Sequence, residues 1–236
     1  MKHKRLSEEG FGEKGNYTII LPIDQGVEHG PVDAFYATDH PEMLDIDYQV
    51  DWIAELLHEG LVGATALPKR TANLLCKKYP HLSKDVILKL NHGNNLNKDL
   101  EPSQAVYASS RDAANMGGVG FTIYPGSSNQ DETINYFGKV QDCKPKNVKS
   151  VLWSYPRGGD FDETSLKTIM HAAYIAAQLE PDVIKVKIPT NSNLLEQIIK
   201  VACGIPVVFS GGSYTDSSSV LKDAKLIAQA GGYGMI

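Results

Sequence analysis

Eight short apolar runs, rich in β-branched residues, recur along the chain with longer polar or amphipathic stretches between them. That alternation limits the fold more than any single motif. The runs cover residues 17–24, 61–67, 86–91, 118–124, 150–155, 183–188 and 206–210, and an eighth opens at Gly234. The intervening stretches at 48–58, 103–115, 165–179, 194–203 and 217–230 have helical period. In the third of these, Ile169, Ala172, Ala173, Ala176 and Leu179 form one apolar stripe. Ser103, Thr164, Asn191 and Asp216 stand where N-caps belong, and Gly60, Gly117, Gly204 and Gly231 where a helix hands over to a strand.

Eight βα units without a Pro-, Ser- or charge-rich linker predict one α/β domain over residues 1–236, a TIM (β/α)8 barrel. An open doubly wound sheet is the alternative. It usually carries fewer strands, and no Gly-x-Gly-x-x-Gly follows the first run. The last run is cut off at Ile236, so the eighth unit is expected to be incomplete and the intact barrel about thirty residues longer, near the ~250 of a typical barrel.

The 23 Lys and Arg against 28 Asp and Glu give a net charge of −5, which predicts no broad basic surface for nucleic acid. No apolar run reaches the ~18 residues of a membrane span, and Met1-Lys2-His3-Lys4-Arg5 leads into Leu-Ser-Glu-Glu-Gly instead of a hydrophobic leader. Three scattered cysteines, Cys76, Cys143 and Cys203, suit neither a disulfide framework nor a zinc cluster. The expected setting is the cytoplasm, with no membrane partner.

A barrel carries its chemistry at the carboxyl ends of its strands, so polar residues inside or just after the apolar runs are the informative ones. Lys185 and Lys187 lie two apart in Val-Ile-Lys-Val-Lys-Ile, on one face of the sixth strand. A desolvated lysine has a lowered pKa and can attack a carbonyl as a free amine; the alternative is a pair of cations that meets phosphate or carboxylate. Lys89 shares a face with Asn91 in the third strand, where it lowers the pKa of the first amine, meets a phosphate, or serves as a structural ion pair.

Asp24 closes the first strand, ahead of a Gly- and His-containing loop that includes His29. It suits an acid or base, a partner for a barrel lysine, or a loop cap. Trp153 and Tyr155 share a face at the end of the fifth strand, with Arg157 following; a tyrosine beside a lysine can relay a proton, and core packing is the other use of both rings. Ser210-Gly211-Gly212 ends the seventh strand with small residues whose N–H groups can approach an oxyanion. Of the seven histidines only His29 and His92 fall at predicted strand ends, and no pair has metal-ligand spacing on a helix, so no metal is expected.

DQGVEHGP at 24–31, LKLNH at 88–92, TIYPGS at 122–127, WSYPRGG at 153–159, IKVK at 184–187 and SGG at 210–212 occur in order over nearly the whole chain. Together they resemble the archaeal-type (DhnA-type) class I fructose-bisphosphate aldolases. The resemblance implies a metal-free barrel that reversibly cleaves fructose 1,6-bisphosphate to dihydroxyacetone phosphate and glyceraldehyde 3-phosphate through an imine, without cofactor. By motif position Lys185 would be the Schiff-base nucleophile, Tyr155 the general acid/base and Asp24 an aid to imine formation. Trp153 would shape the site and the Ser210-Gly211-Gly212 loop would bind phosphate, with Lys89, Lys187, His29 and Arg157 as further substrate contacts.

The family's Gly-Arg pair after the eighth strand would lie beyond Ile236. The resemblance also implies a homo-oligomer, an octamer or decamer. Relatives on the same scaffold use the lysine otherwise, in a sugar condensation of an aromatic-amino-acid route (an aminodideoxyheptulosonate synthase) and in a thiolase reaction. A non-catalytic sugar-phosphate-binding protein is the alternative outside enzymology.

Overall fold

The computed structural model describes residues 2–9, 11, 16–96, 100–190, 194–211 and 216–236. Eight parallel strands form the barrel: β1 (Asn16–Pro22), β2 (Ala64–Leu67), β3 (Val86–Lys89), β4 (Gly118–Ile123), β5 (Lys149–Ser154), β6 (Val183–Lys187), β7 (Val207–Ser210) and β8 (Gly234–Met235), and a two-residue strand at Lys2–His3 adds to the sheet beside the start of β1. Each pairs with the next, and β8 pairs with β1 as well as β7, so the sheet closes on itself. This is the expected TIM barrel. β8 supplies only two residues, yet they close the ring and leave no open edge.

Alternation with period two sorts the strand residues. Ile20, Ala64, Ala66, Ile87, Val151, Trp153, Val183 and Val208 form one cluster inside the barrel. Leu88, Val119, Phe121, Leu152, Ile184, Val186 and Phe209 belong to the larger layer between sheet and helices. Fully burying such a side chain contributes about 1.5–3 kcal/mol. The covering helices are α1 (Ile46–His58), α2 (Lys69–Lys78), α3 (Gln130–Cys143), α4 (Leu166–Gln178), α5 (Leu195–Val201) and α6 (Ser217–Ala230). The expected stripe on α4 is buried at Ile169, Ala172, Ala173 and Ala176.

The amino-terminal segment closes the bottom of the barrel. Leu6 and Phe11 join the interior cluster, Phe11 meets Tyr233 edge-on with ring centroids 5.2 Å apart, and Arg5 pairs with the buried Asp85 at 2.9 Å. The open end is therefore the one that carries the strands' carboxyl termini.

The expected helix over 103–115 does not form. Ala105–Val106 pairs antiparallel with Asn91–His92, and the only helical stretch there is a single 3-10 turn at Ser110–Ala113. The cap is Ser109, whose N–H and hydroxyl both engage Asp112, and not Ser103. Upstream of it Tyr107 and Ala108 give their N–H groups to Leu90 O, which ties the segment to the end of β3. Thr164 precedes the actual cap, Ser165, which accepts from Thr168 N. Asp216 caps α6 as expected, accepting from Ser218 and Ser219, and Gly231 ends it in the left-handed conformation at φ 85°. Asn191 lies outside the described residues.

Candidate active site

At the open end the strand termini and their loops line a cavity of about 690 Å³. Strand alternation sends Lys89, Thr122, Trp153, Lys185 and Lys187 into it. Ten of the eleven side chains and backbone positions expected at the site line this cavity: Asp24, His29, Lys89, Trp153, Tyr155, Arg157, Lys185, Lys187, Ser210 and Gly211. Gly212 lies outside the described residues.

Lys185 is 6% exposed and in register with Trp153 on β5 and Val208 on β7. Its Nζ lies 5.1 Å from the Trp153 ring centroid and 5.4 Å from that of Tyr155. Burial pulls its pKa down to about 8, against the opposing pull of the Asp24 and Glu28 carboxylates. Lys89, 1% exposed, has its Nζ 5.4 Å from the centroid of the same indole. Burial brings it also to about 8, with Asp24 and Glu28 raising it and Lys185 lowering it.

Lys89 Nζ donates to Asn91 O. The Asn91 amide is itself fixed, donating to Thr122 O at 2.7 Å while its Oδ1 accepts from Thr122 N at 2.8 Å. The face shared by Lys89 and Asn91 thus becomes a clamp across β3 and β4.

Asp24, just beyond β1, is buried, and burial alone would raise its pKa. The His92 hydrogen bond, with the charges of Lys89, His92 and Lys185, overrides burial and holds it at about 2. His92 Nε2 lies 3.2 Å from Asp24 Oδ2, and His92 Nδ1 lies 3.5 Å from Glu28 Oε2.

Tyr155 is held well above the usual phenol range, mainly by burial and further by the Asp24 and Glu28 charges, although Ser210 and Arg157 work the other way. It rests as a neutral phenol. Lys187 Nζ lies 5.8 Å from the same ring and 3.6 Å from Glu163 Oε2; burial lowers its pKa, helped by Arg157. The Arg157 guanidinium lies 5.4 Å from the Tyr124 ring centroid. Ser210 Oγ reaches Val186 O at 3.4 Å, and His29 Nδ1 lies 2.9 Å from Asn95 Nδ2 at the rim.

The sequence left Glu28, His92, Thr122, Tyr124 and Thr164 out of the site, and all five line the cavity. Glu28 stands inside the DQGVEHGP loop and His92 at the end of LKLNH, so their place at strand ends was the available signal. Among the described residues, no group of three or more His, Cys, Asp and Glu side chains is arranged to hold a metal ion.

Chemically, the cavity offers a buried amine that is partly unprotonated near neutral pH, a phenol beside it, a carboxylate and an imidazole. Toward the rim it offers a guanidinium and a further ammonium, suited to anionic groups.

The profile of the DeoC/LacD family aldolases matches residues 18–236. A Thermoproteus tenax protein named fructose-bisphosphate aldolase class 1 is 32% identical over 230 residues, spanning 95% of this chain and 82% of that protein. A Halobacterium salinarum protein of the same name is 36% identical over 225 residues, spanning 92% of this chain and 81% of that protein. A solved structure of an archaeal fructose-1,6-bisphosphate aldolase, its catalytic lysine covalently bound to the carbinolamine intermediate of the substrate, superposes with a TM-score of 0.81 at 30% identity. It covers 98% of this chain and 90% of that one.

Proposed function

The chain belongs to the DeoC/LacD aldolase family, and we propose that within it the protein is a class I aldolase that reversibly cleaves fructose 1,6-bisphosphate. The observation that carries this is Lys185: a buried barrel amine with a pKa near 8, set between two aromatic rings in a chain whose relatives carry that activity in their names.

Lys185 Nζ adds to the ketone carbon and forms a carbinolamine. Its hydroxyl leaves as water with a proton delivered through Asp24, and the nitrogen lone pair completes a C=N bond as an iminium. The iminium is an electron sink. With that cation beside it Tyr155 gives up its phenolic proton to solvent, and the phenolate takes the proton of the hydroxyl on the far carbon of the breaking C–C bond; glyceraldehyde 3-phosphate departs, and an enamine remains. The new cation close to the Tyr155 ring offsets the burial that otherwise keeps the phenol neutral. The enamine takes its proton back from Tyr155, and water releases dihydroxyacetone phosphate from Lys185.

Trp153 forms an aromatic wall that both buried ammonium groups approach. Arg157, Lys187, His29, Ser210 and Gly211 meet the phosphates, and Lys89 keeps a second positive charge near Asp24. The lysine route itself requires no metal or organic cofactor.

In this reading the enzyme works in the cytoplasm, supported by three free thiols and by the absence, among the described residues, of a helix long and apolar enough to cross a membrane. It also assembles as a homo-oligomer, octamer or decamer. Exposed apolar side chains such as Tyr36 at 55%, Leu44 at 51% and Tyr48 at 43% support that.

A coupled assay of triose phosphate release from fructose 1,6-bisphosphate, before and after exhaustive chelation, tests the proposal. Equal turnover in both is expected. Turnover of a different phosphorylated ketone with none of fructose 1,6-bisphosphate overturns the substrate assignment, and loss on chelation overturns the metal-free route.

A further inference from the structure

Past the end of β5 the chain keeps the parallel ladder to β4: Tyr155 N donates to Ile123 O and Arg157 N to Pro125 O, each at 3.1 Å. The turn after β4 thus fixes the backbone of Arg157. Its side chain has less to hold it. The guanidinium lies 5.4 Å from the Tyr124 ring centroid, and Nε is buried without a hydrogen-bond partner.

Gly158, in the left-handed region at φ 81°, and Gly159 follow directly. Adjacent glycines give this stretch wide conformational freedom. Phe161 restrains it. Its ring lies on one glycine from each loop: a Cβ on Gly126, itself at φ 93°, would stand 2.6 Å from Phe161 Cε1, and one on Gly159 would overlap the same atom. The ring belongs to neither core cluster and does not line the catalytic cavity. It is 37% exposed and borders a second cavity of about 510 Å³, shared with Pro125, Pro156 and α4.

Beyond Phe161 the loop is fastened again. Asp162 Oδ1 accepts from Thr164 N at 2.8 Å and Thr164 Oγ1 at 2.7 Å, and Thr190 N donates to Thr164 O at 3.1 Å. Phe161 therefore ties down the short glycine span between two anchored ends.

Resting on the reading that Arg157 meets a phosphate of the substrate, we propose that Phe161 is a positioning residue: its ring clasps the loop after β5 to the turn after β4 and so holds Arg157 where it receives that phosphate. The ring acts through Arg157 and touches no reacting atom. Without it the glycine span samples other conformations, and only a fraction of the molecules present Arg157 correctly. Binding weakens by that fraction, while the groups that break the carbon–carbon bond stay as they were.

Steady-state cleavage of fructose 1,6-bisphosphate by the wild type, Phe161→Ala, Arg157→Met and the double variant tests the clasp. Phe161→Ala should raise KM about tenfold, as when the competent fraction falls to about one in ten, with a smaller change in kcat. Added to Arg157→Met, the same substitution should leave KM where Arg157→Met alone puts it, a non-additivity that a general loosening of the fold would not give. Gly159→Ala displaces the ring by another route, because Gly159 lies outside the left-handed region and its backbone accepts alanine. It should raise KM as Phe161→Ala does.

A folded Phe161→Ala with the wild-type KM overturns the clasp, and so does a further rise in KM when it is added to Arg157→Met. If Phe161→Ala does not fold, the KM of Gly159→Ala decides alone. A wild-type KM in Arg157→Met overturns the phosphate role of Arg157 and the clasp with it. A wild type that does not cleave the bisphosphate overturns the aldolase reading on which both rest.

Discussion

Lys185 and Trp153 are register partners on neighbouring strands, and the Lys185 ammonium lies 5.1 Å from the indole centroid. Lys89 Nζ lies 5.4 Å from the same ring. One aromatic wall therefore serves two buried cations, and each gains about 0.5–2 kcal/mol from the ring quadrupole, which limits how far burial can depress their pKa values.

The wall stands only because β4 has no side chain beneath it. A Cβ on Gly120 would lie 2.5 Å from Trp153 Cζ3. Gly120→Ala should displace the indole, cost about 1–3 kcal/mol of stability and lower kcat at least tenfold. Adding Trp153→Phe should recover part of the lost stability. Urea unfolding of the single and double variants measures the coupling.

The pH dependence follows from Lys185. With a folded-state pKa of about 8, its free-amine fraction rises tenfold per pH unit below that value and levels above it. The rate of imine formation with the free enzyme should follow the same curve.

Stability has its own sign. The unfolded lysine keeps its proton up to its ordinary value of 10.5 while the folded one loses it near 8, so stability rises with pH through that window and the burial penalty is fully present below it. Lys185→Met should accordingly abolish turnover and stabilise the fold at pH 7 by about 1–3 kcal/mol, read from denaturant midpoints.

Tyr155→Phe removes the phenolic proton carrier and leaves the lysine. Cleavage of fructose 1,6-bisphosphate should fall by about 10²–10⁴, while borohydride still traps dihydroxyacetone phosphate. Loss of both activities together would move Tyr155 from carbon–carbon cleavage to imine formation.

The Arg157 guanidinium has a buried Nε with no hydrogen-bond partner and lines the cavity. Arg157→Met should raise KM for the bisphosphate about 10–100-fold, the worth of one charge-assisted hydrogen bond, with a smaller change in kcat. A fall in kcat at constant KM would argue that Arg157 acts on the reacting atoms instead.

Period-two alternation made the barrel and most of its interior readable. It put Lys89 with Asn91, Trp153 with Tyr155, and Lys185 with Lys187 on shared faces, and each pair does face inward. The placement of His92 was not readable, because its contact with Asp24 joins residues 68 positions apart and depends on a short strand that pairs with Ala105–Val106. The segment expected to be a helix over 103–115 supplies that partner. Its Ser103 looked like a cap, but Tyr107 and Ala108 give their N–H groups to Leu90 O and the capping box waits until Ser109. Long-range backbone pairing overrode local propensity there. Gly120 was invisible for a related reason, since only the register of β4 against β5 puts it under the indole.

The central claim is that Lys185 forms the imine. Incubation with dihydroxyacetone phosphate, reduction with borohydride and peptide mass mapping test it directly. The account predicts one reduced triose phosphate on the peptide that contains Lys185, absent in Lys185→Met; an adduct on Lys89, or none on a protein that still turns over fructose 1,6-bisphosphate, would contradict it.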